Sequence, residues 1–327
     1  MSRRGAAAPT RARGFGVVEL LVALALGALL ALTASVVLLA SSASYLNQVE
    51  AARLNDSARY ALDIIGRAVR QTIFANGVGA GAGVDAPAGA RPADSASVGG
   101  LDARSVSRGS DGIEAPLAGA VNGSDVLSLR YFGAGSGSGG DGSVINCAGF
   151  GVGAADSEAE RGWSIFYVAT DAGGEAELRC KYRGESSWGA DAIVRGVDTF
   201  QVLYGIDTDE PADGAVNQYV NASTIDALDA ALVLDGADAA AKERDKNART
   251  HWKRVVSIQI ALLLHGARGS APRTGTAQFD LFGKAYADAY GGADAGVRID
   301  EARLPPAQRG RARRVLVTTI TLRNRPA

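Results

Sequence analysis

A single carboxylate, Glu19, interrupts an otherwise apolar run over residues 15–40. Such a run is long enough to cross a bilayer as a helix, which takes about 20 residues. A carboxylate inside a span costs roughly 2.5–3.5 kcal/mol on insertion scales, so its retention points to a specific partner. Arg3, Arg4, Arg11 and Arg13 precede the run with no acid among them, and Gly14 stands at the junction. That arginine excess predicts a cytoplasmic leader, with everything after about residue 41 across the membrane.

Three fates are open to this N-terminus. A secretory signal carries an apolar core of roughly 7–15 residues and then a small-residue cleavage site. Ser41, Ser42 and Ala43 offer such a site, but the run is too long and Glu19 interrupts its start. A plain single-span anchor accounts for the length and the arginines and leaves Glu19 unexplained. Cleavage after Gly14, on the cytoplasmic side, keeps the whole apolar helix in the mature chain.

Composition narrows the remainder. Net charge is −1, and the leader holds four arginines and no acid, so without it the chain stands at −5. No domain-wide basic excess points to nucleic acid. Arg244, Lys246, Arg249, Lys253 and Arg254 form a local basic stretch, diluted by Glu243 and Asp245, and read as a solvated helix end. Cys147 and Cys180 both follow the apolar run; in an oxidising periplasm they tend to pair, two separate buried thiols being the alternative. Closing that loop stabilises the fold by about 4 kcal/mol in the chain-entropy model.

Apolar residues Leu54, Ala58, Ala61, Leu62, Ile65, Val69 and Ile73 recur at helical spacing, with Arg53, Asp56, Arg59, Asp63, Arg67 and Arg70 between them. This predicts one helix from Phe15 to Phe74, about 90 Å long, apolar all round in its first half and amphipathic in its second. Ala23, Gly27, Ala31 and Ser35 make a small-residue row that permits close helix approach, a weak signal in so Ala-rich a segment. Residues 76–104 and 133–143 are Gly-rich and read as loops. Strand patterns fall at 126–132, 163–169, 177–183, 199–204, 255–264 and 315–322, the last apolar enough for burial on both faces. Residues 224–233 and 237–248 read as helices. The expected fold is α+β, a long helix on a mainly antiparallel sheet. Its divisions are a leader at 1–14, a membrane or filament-core half at 15–40, an amphipathic half at 41–75 and a periplasmic head at 76–327.

Little else suggests chemistry. Residues 135–140 fit G-x-G-x-x-G but open no helical pattern, so a flexible hairpin tip is the better reading. His251 and His265 are the two histidines, with no zinc-type spacing, and no G-x-S-x-G elbow occurs. Asp207, Asp209 and Asp213 before Gly214 are the best metal candidates, of the kind that holds calcium. They lack the later bidentate glutamate of a twelve-residue loop, and a solvated acidic turn explains them as well. No cofactor is otherwise expected.

The run Arg13-Gly14-Phe15-Gly16-Val17-Val18-Glu19-Leu20-Leu21 resembles the prepilin signature of type IV pilins and type II secretion pseudopilins. The resemblance implies cleavage between Gly14 and Phe15 by a prepilin peptidase, N-methylation of Phe15, and a non-enzymatic, polymerising subunit. Gly16-Val17 departs from the usual hydroxyl and larger aliphatic. Cleavage leaves a cationic amine at Phe15, with Glu19 at i+4 on the same helix face. That carboxylate can meet its own amine or the amine of a neighbouring subunit, a pairing that sets register more than bulk stability.

The helix segment from Asn55 to Ile65 followed by Arg70-Gln71, the segment from Phe200 to Asp207 and the closing stretch from Arg313 to Asn324 are similar to PilW-type minor pilins. That family implies an inner-membrane precursor with a periplasmic head, later placed at or near the pilus tip. The implied partners are other minor pilins, the major pilin, a tip adhesin, the peptidase and the inner-membrane assembly platform. A minor pseudopilin of type II secretion is the nearest alternative. A membrane-anchored periplasmic binding module or hydrolase is the alternative of another class.

Overall fold

The computed structural model describes residues 16–72, 94–155, 157–271 and 277–322. The leader, Gly14, Phe15, Ile73, Phe74, most of the 76–104 segment and the closing residues from 323 onward lie outside them. The chain divides into two units, Met1–Val49 and Glu50–Ala327. The boundary falls within one helix, α1, Val17–Gln71.

In the first unit, α1 holds no proline, and its apolar side chains are exposed all round. Its few hydroxyls turn back onto the helix. Ser35 Oγ donates to the Ala31 carbonyl at 2.8 Å, and Thr33 Oγ1 donates to that of Leu30 at 2.9 Å. Back-bonding of this kind lets Ser and Thr sit in an apolar helix without an unsatisfied donor.

In the second unit the predicted amphipathic face is realised. Leu54, Ala58, Ala61, Ile65 and Val69 are buried, joined by Ala68, while Leu62 is half-buried. The six charged residues predicted between them are exposed. The buried stripe meets two sheets rather than one. The first is five-stranded, in the order β1 (Val98–Leu101), β4 (Val126–Tyr131), β5 (Gly162–Thr170), β6 (Ala176–Arg183), β7 (Trp188–Arg195). The second is four-stranded, in the order β13 (Arg313–Thr321), β10 (Val255–His265), β8 (Val197–Ile206), β9 (Gln218–Val220). Every neighbouring pair is antiparallel. Short pairs β2 (Ser105–Val106) with β3 (Pro116–Leu117), and β11 (Gln278–Asp280) with β12 (Arg298–Asp300), complete the strands among the described residues.

The sheets separate at Gly196, between β7 and β8. Its N–H donates to the Ala176 carbonyl of one sheet at 2.8 Å, and its carbonyl accepts the His265 N–H of the other at 2.8 Å. The residue has φ +78°, and a Cβ there would lie 2.9 Å from the His265 carbonyl oxygen. Only glycine meets both demands without strain.

Three expectations need correction. Strand β1 lies in the segment read as loop: its two glycines hide the alternation, and a Cβ on Gly100 would run into the Tyr204 hydroxyl. The last strand is not buried on both faces. As the outermost strand of its sheet it pairs only with β10, Ile320 is its one buried apolar residue, and Val317 is 45% exposed. The 133–143 segment is folded back rather than a free tip. Ala134 N–H donates to the Val152 carbonyl and accepts, through its own carbonyl, the Asp141 N–H. The two expected helices are present as α2, Ala222–Ala230, and α3, Ala239–Arg249, capped by Asn221 and Asp238. A short α4, Lys284–Tyr290, was not foreseen.

Candidate functional site: the helix start and its anchored head

The Glu19 carboxylate lies in the first turn of α1, where Oε2 accepts the Gly16 N–H at 3.1 Å. A carboxylate there fits the positive end of the helix dipole and satisfies one of the four orphan donors. Among the described residues no cation pairs with Glu19, and Phe15, which would carry the amine, lies outside them. The helix that carries Glu19 is long and apolar enough to cross a membrane. Val17, Leu21, Leu24 and Leu38 are 60–75% exposed, so this surface is left for lipid or for other helices. In the predicted small-residue row, a Cβ on Gly27 would meet nothing within 4 Å.

Within the head unit, α1 is held near both ends of its buried length. Glu50 Oε1 accepts the Ala267 N–H at 2.7 Å. Gln71 Nε2 donates to the Ile145 carbonyl, and Gln71 Oε1 accepts the Ile145 N–H, each at 3.1 Å. Two residues further, Cys147 forms a disulfide with Cys180 of β6, with Cα atoms 5.8 Å apart. The pairing expected from compartment is therefore present.

The remaining candidates lie apart from this site. The carboxylates of Asp207, Asp209 and Asp213 do converge, with one oxygen of each within 4.8 Å of the others. Their oxygens also serve the turn itself. Asp207 accepts the N–H groups of Asp209 and Gly214, Asp213 that of Ala215, and Asp209 the Asn217 amide. His251 Nδ1 lies 2.8 Å from Asp229, but the neighbouring Thr250 hydroxyl donates to that aspartate and not to the imidazole, so no nucleophile is activated. His265 sits buried between Asp198 and Glu175, which are held in turn by Arg313 and Arg311. Burial alone would raise the Glu175 carboxyl; hydrogen bonds from Arg311 and His265 hold it below its usual value. In the basic stretch, Arg249 pairs with Asp245 and Arg254 with Glu210.

The family model for type IV pilus-assembly protein W matches residues 165–324. That for the prokaryotic N-terminal methylation motif matches residues 9–35, around Gly14, Phe15 and Glu19. The two matches support a PilW-like minor pilin. No curated protein matches it. Among solved structures, a type IV-like pilin from Thermus thermophilus is similar at 13% identity and a TM-score of 0.35, over 84% of this chain and 99% of that one.

The PilW match covers the head from β5 onward, so the minor pilin's likeness to pilus subunits extends past the N-terminal signature shared with secretion pseudopilins. Sequence reasoning noted Gln71 within the PilW-like helix segment but not its role, and missed Gly196. Neither role shows in local pattern, because each residue acts on a backbone group far away in the chain.

Proposed function

We propose that this minor pilin is cleaved between Gly14 and Phe15, methylated at Phe15, and built into a type IV pilus at or near its tip, where it helps start the filament. Before assembly it stands in the inner membrane with its head in the periplasm. Its partners are other minor pilins, the major pilin, a tip adhesin, the peptidase and the membrane assembly platform. Its role is structural and needs no catalytic group.

The observation that carries this reading is the Glu19 carboxylate on the exposed apolar half of α1, held among the described residues by the Gly16 N–H. In hydrocarbon that anion gains from a cation, and a freed Phe15 amine on an adjoining subunit supplies one. Apolar packing along the exposed helix supplies most of the attraction.

N-terminal sequencing of the protein from cells with an active prepilin peptidase tests the reading. A methylated phenylalanine at Phe15 is expected; a start at Met1 or Ser44 overturns it. Immunogold labelling tests position: label at one filament end is expected, and label spaced along the shaft removes the tip assignment.

A further inference from the structure

The head carries a groove of about 750 Å3 that none of the assembly features uses. Its size falls in the range of roughly 300–1,000 Å3 typical of small-molecule sites. One wall is the outer strand β1, and the other is formed by α2, α3 and the turn before β10.

Trp252 stands in this second wall with its indole fixed at two points. Its Nε1–H donates to Asp226 Oδ1 at 3.0 Å, and its ring meets Tyr204 edge-on at 4.8 Å between centroids. Around it are polar groups with capacity to spare. The second Asp226 oxygen, the Lys246 ammonium and the Asn247 amide all line the groove and make no hydrogen bond within the described residues.

These groups suit one ligand chemistry. A sugar ring presents a C–H face that stacks on an indole, ringed by hydroxyls that both donate and accept. Carboxylate, amide and ammonium then serve hydroxyls in either sense. A phosphate ligand would face the Asp226 carboxylate. An extended peptide added to β1 would satisfy that strand's edge but leave the indole and its polar neighbours unused.

We propose that this groove binds a neutral oligosaccharide, with Trp252 as the stacking platform and Asp226, Lys246 and Asn247 binding its hydroxyls.

The test uses the full chain in a detergent without a sugar head group. Maltose, lactose and N,N′-diacetylchitobiose are titrated to millimolar concentration, read by tryptophan fluorescence and calorimetry. At least one should bind saturably. Trp252→Ala should weaken it about tenfold or more, equivalent to at least about 1.4 kcal/mol. Because Trp252 also touches the core, the double variant Lys246→Ala/Asn247→Ala, at surface positions of α3, provides a second arm. It should fold normally and bind several-fold more weakly. Absence of binding by all three sugars overturns the assignment, as does binding that both variants leave unchanged. Saturable binding of an unglycosylated Val/Thr hexapeptide in place of the sugars also overturns it, reassigning the groove to strand addition at β1.

Discussion

The Gln71 side chain pairs with the backbone of Ile145, 74 residues away, as one strand pairs with another: its amide donates to the Ile145 carbonyl and its oxygen accepts the Ile145 N–H. This fastens the end of α1 to the loop that carries Cys147. Gln71→Ala leaves two half-buried backbone groups without partners and should cost about 1–3 kcal/mol. Urea unfolding of the full chain in micelles measures it. An unchanged midpoint would show that water replaces the side chain at no cost.

Glu19→Ala removes the anion and leaves the apolar surface intact. The protein should remain in the membrane fraction while piliation falls. Counts of sheared filaments, with an immunoblot of membranes as control, decide the matter; normal pilus number would end the charge-pairing role.

Cys147→Ser with Cys180→Ser opens a loop of 33 residues' separation. The chain-entropy model gives a loss of about 4 kcal/mol. Thermal unfolding with and without a reductant should show the wild type falling toward the variant, and the variant indifferent to the reductant.

Arg313 has no exposed side-chain surface and holds Asp198 at 2.7 Å and Glu301 at 3.5 Å. Arg313→Ala strands buried carboxylates and should cost about 3–5 kcal/mol. A shift below about 1 kcal/mol in chemical unfolding would mean the network relaxes around the gap.

The Asp125 carboxyl is pushed well above its usual value by burial and then by the Asp102 charge, although it accepts the Ala103 and Val202 N–H groups. The folded state therefore holds this proton at pH values where the unfolded chain has released it. Stability is then lost as pH rises from the ordinary carboxylate range through the raised one. Asp125→Asn, which cannot ionise, should flatten that fall as pH rises above the ordinary carboxylate range. An unfolding midpoint whose slope against pH matches the wild type would count against it.

Much of this was legible in the chain itself. The stripe from Leu54 to Val69 declared its buried face because helical periodicity is written into every turn. Strands β4, β5, β6, β8 and β10 declared themselves by apolar runs bounded by turn residues. What stayed hidden was strand β1, whose glycines carry no pattern, strand β7, and the exposure of β13, since residues of one composition can lie at the centre or the edge of a sheet. The groove at Trp252 was hidden as well, because Asp226, Lys246 and Gly100 come from separate elements.

The sequence alone determined the membrane-competent helix, the placing of Glu19 one turn into it, and the amphipathic stripe that anchors a head. Each rests on spacing along a single helix, where neighbours in space are neighbours in the chain. Tertiary structure alone decided the division into two sheets at Gly196, the clamp of Gln71 on Ile145 and the buried ring of charge about His265. Those depend on which distant backbone and side-chain groups meet, and a buried polar group is selected for its partner across space rather than for any local pattern.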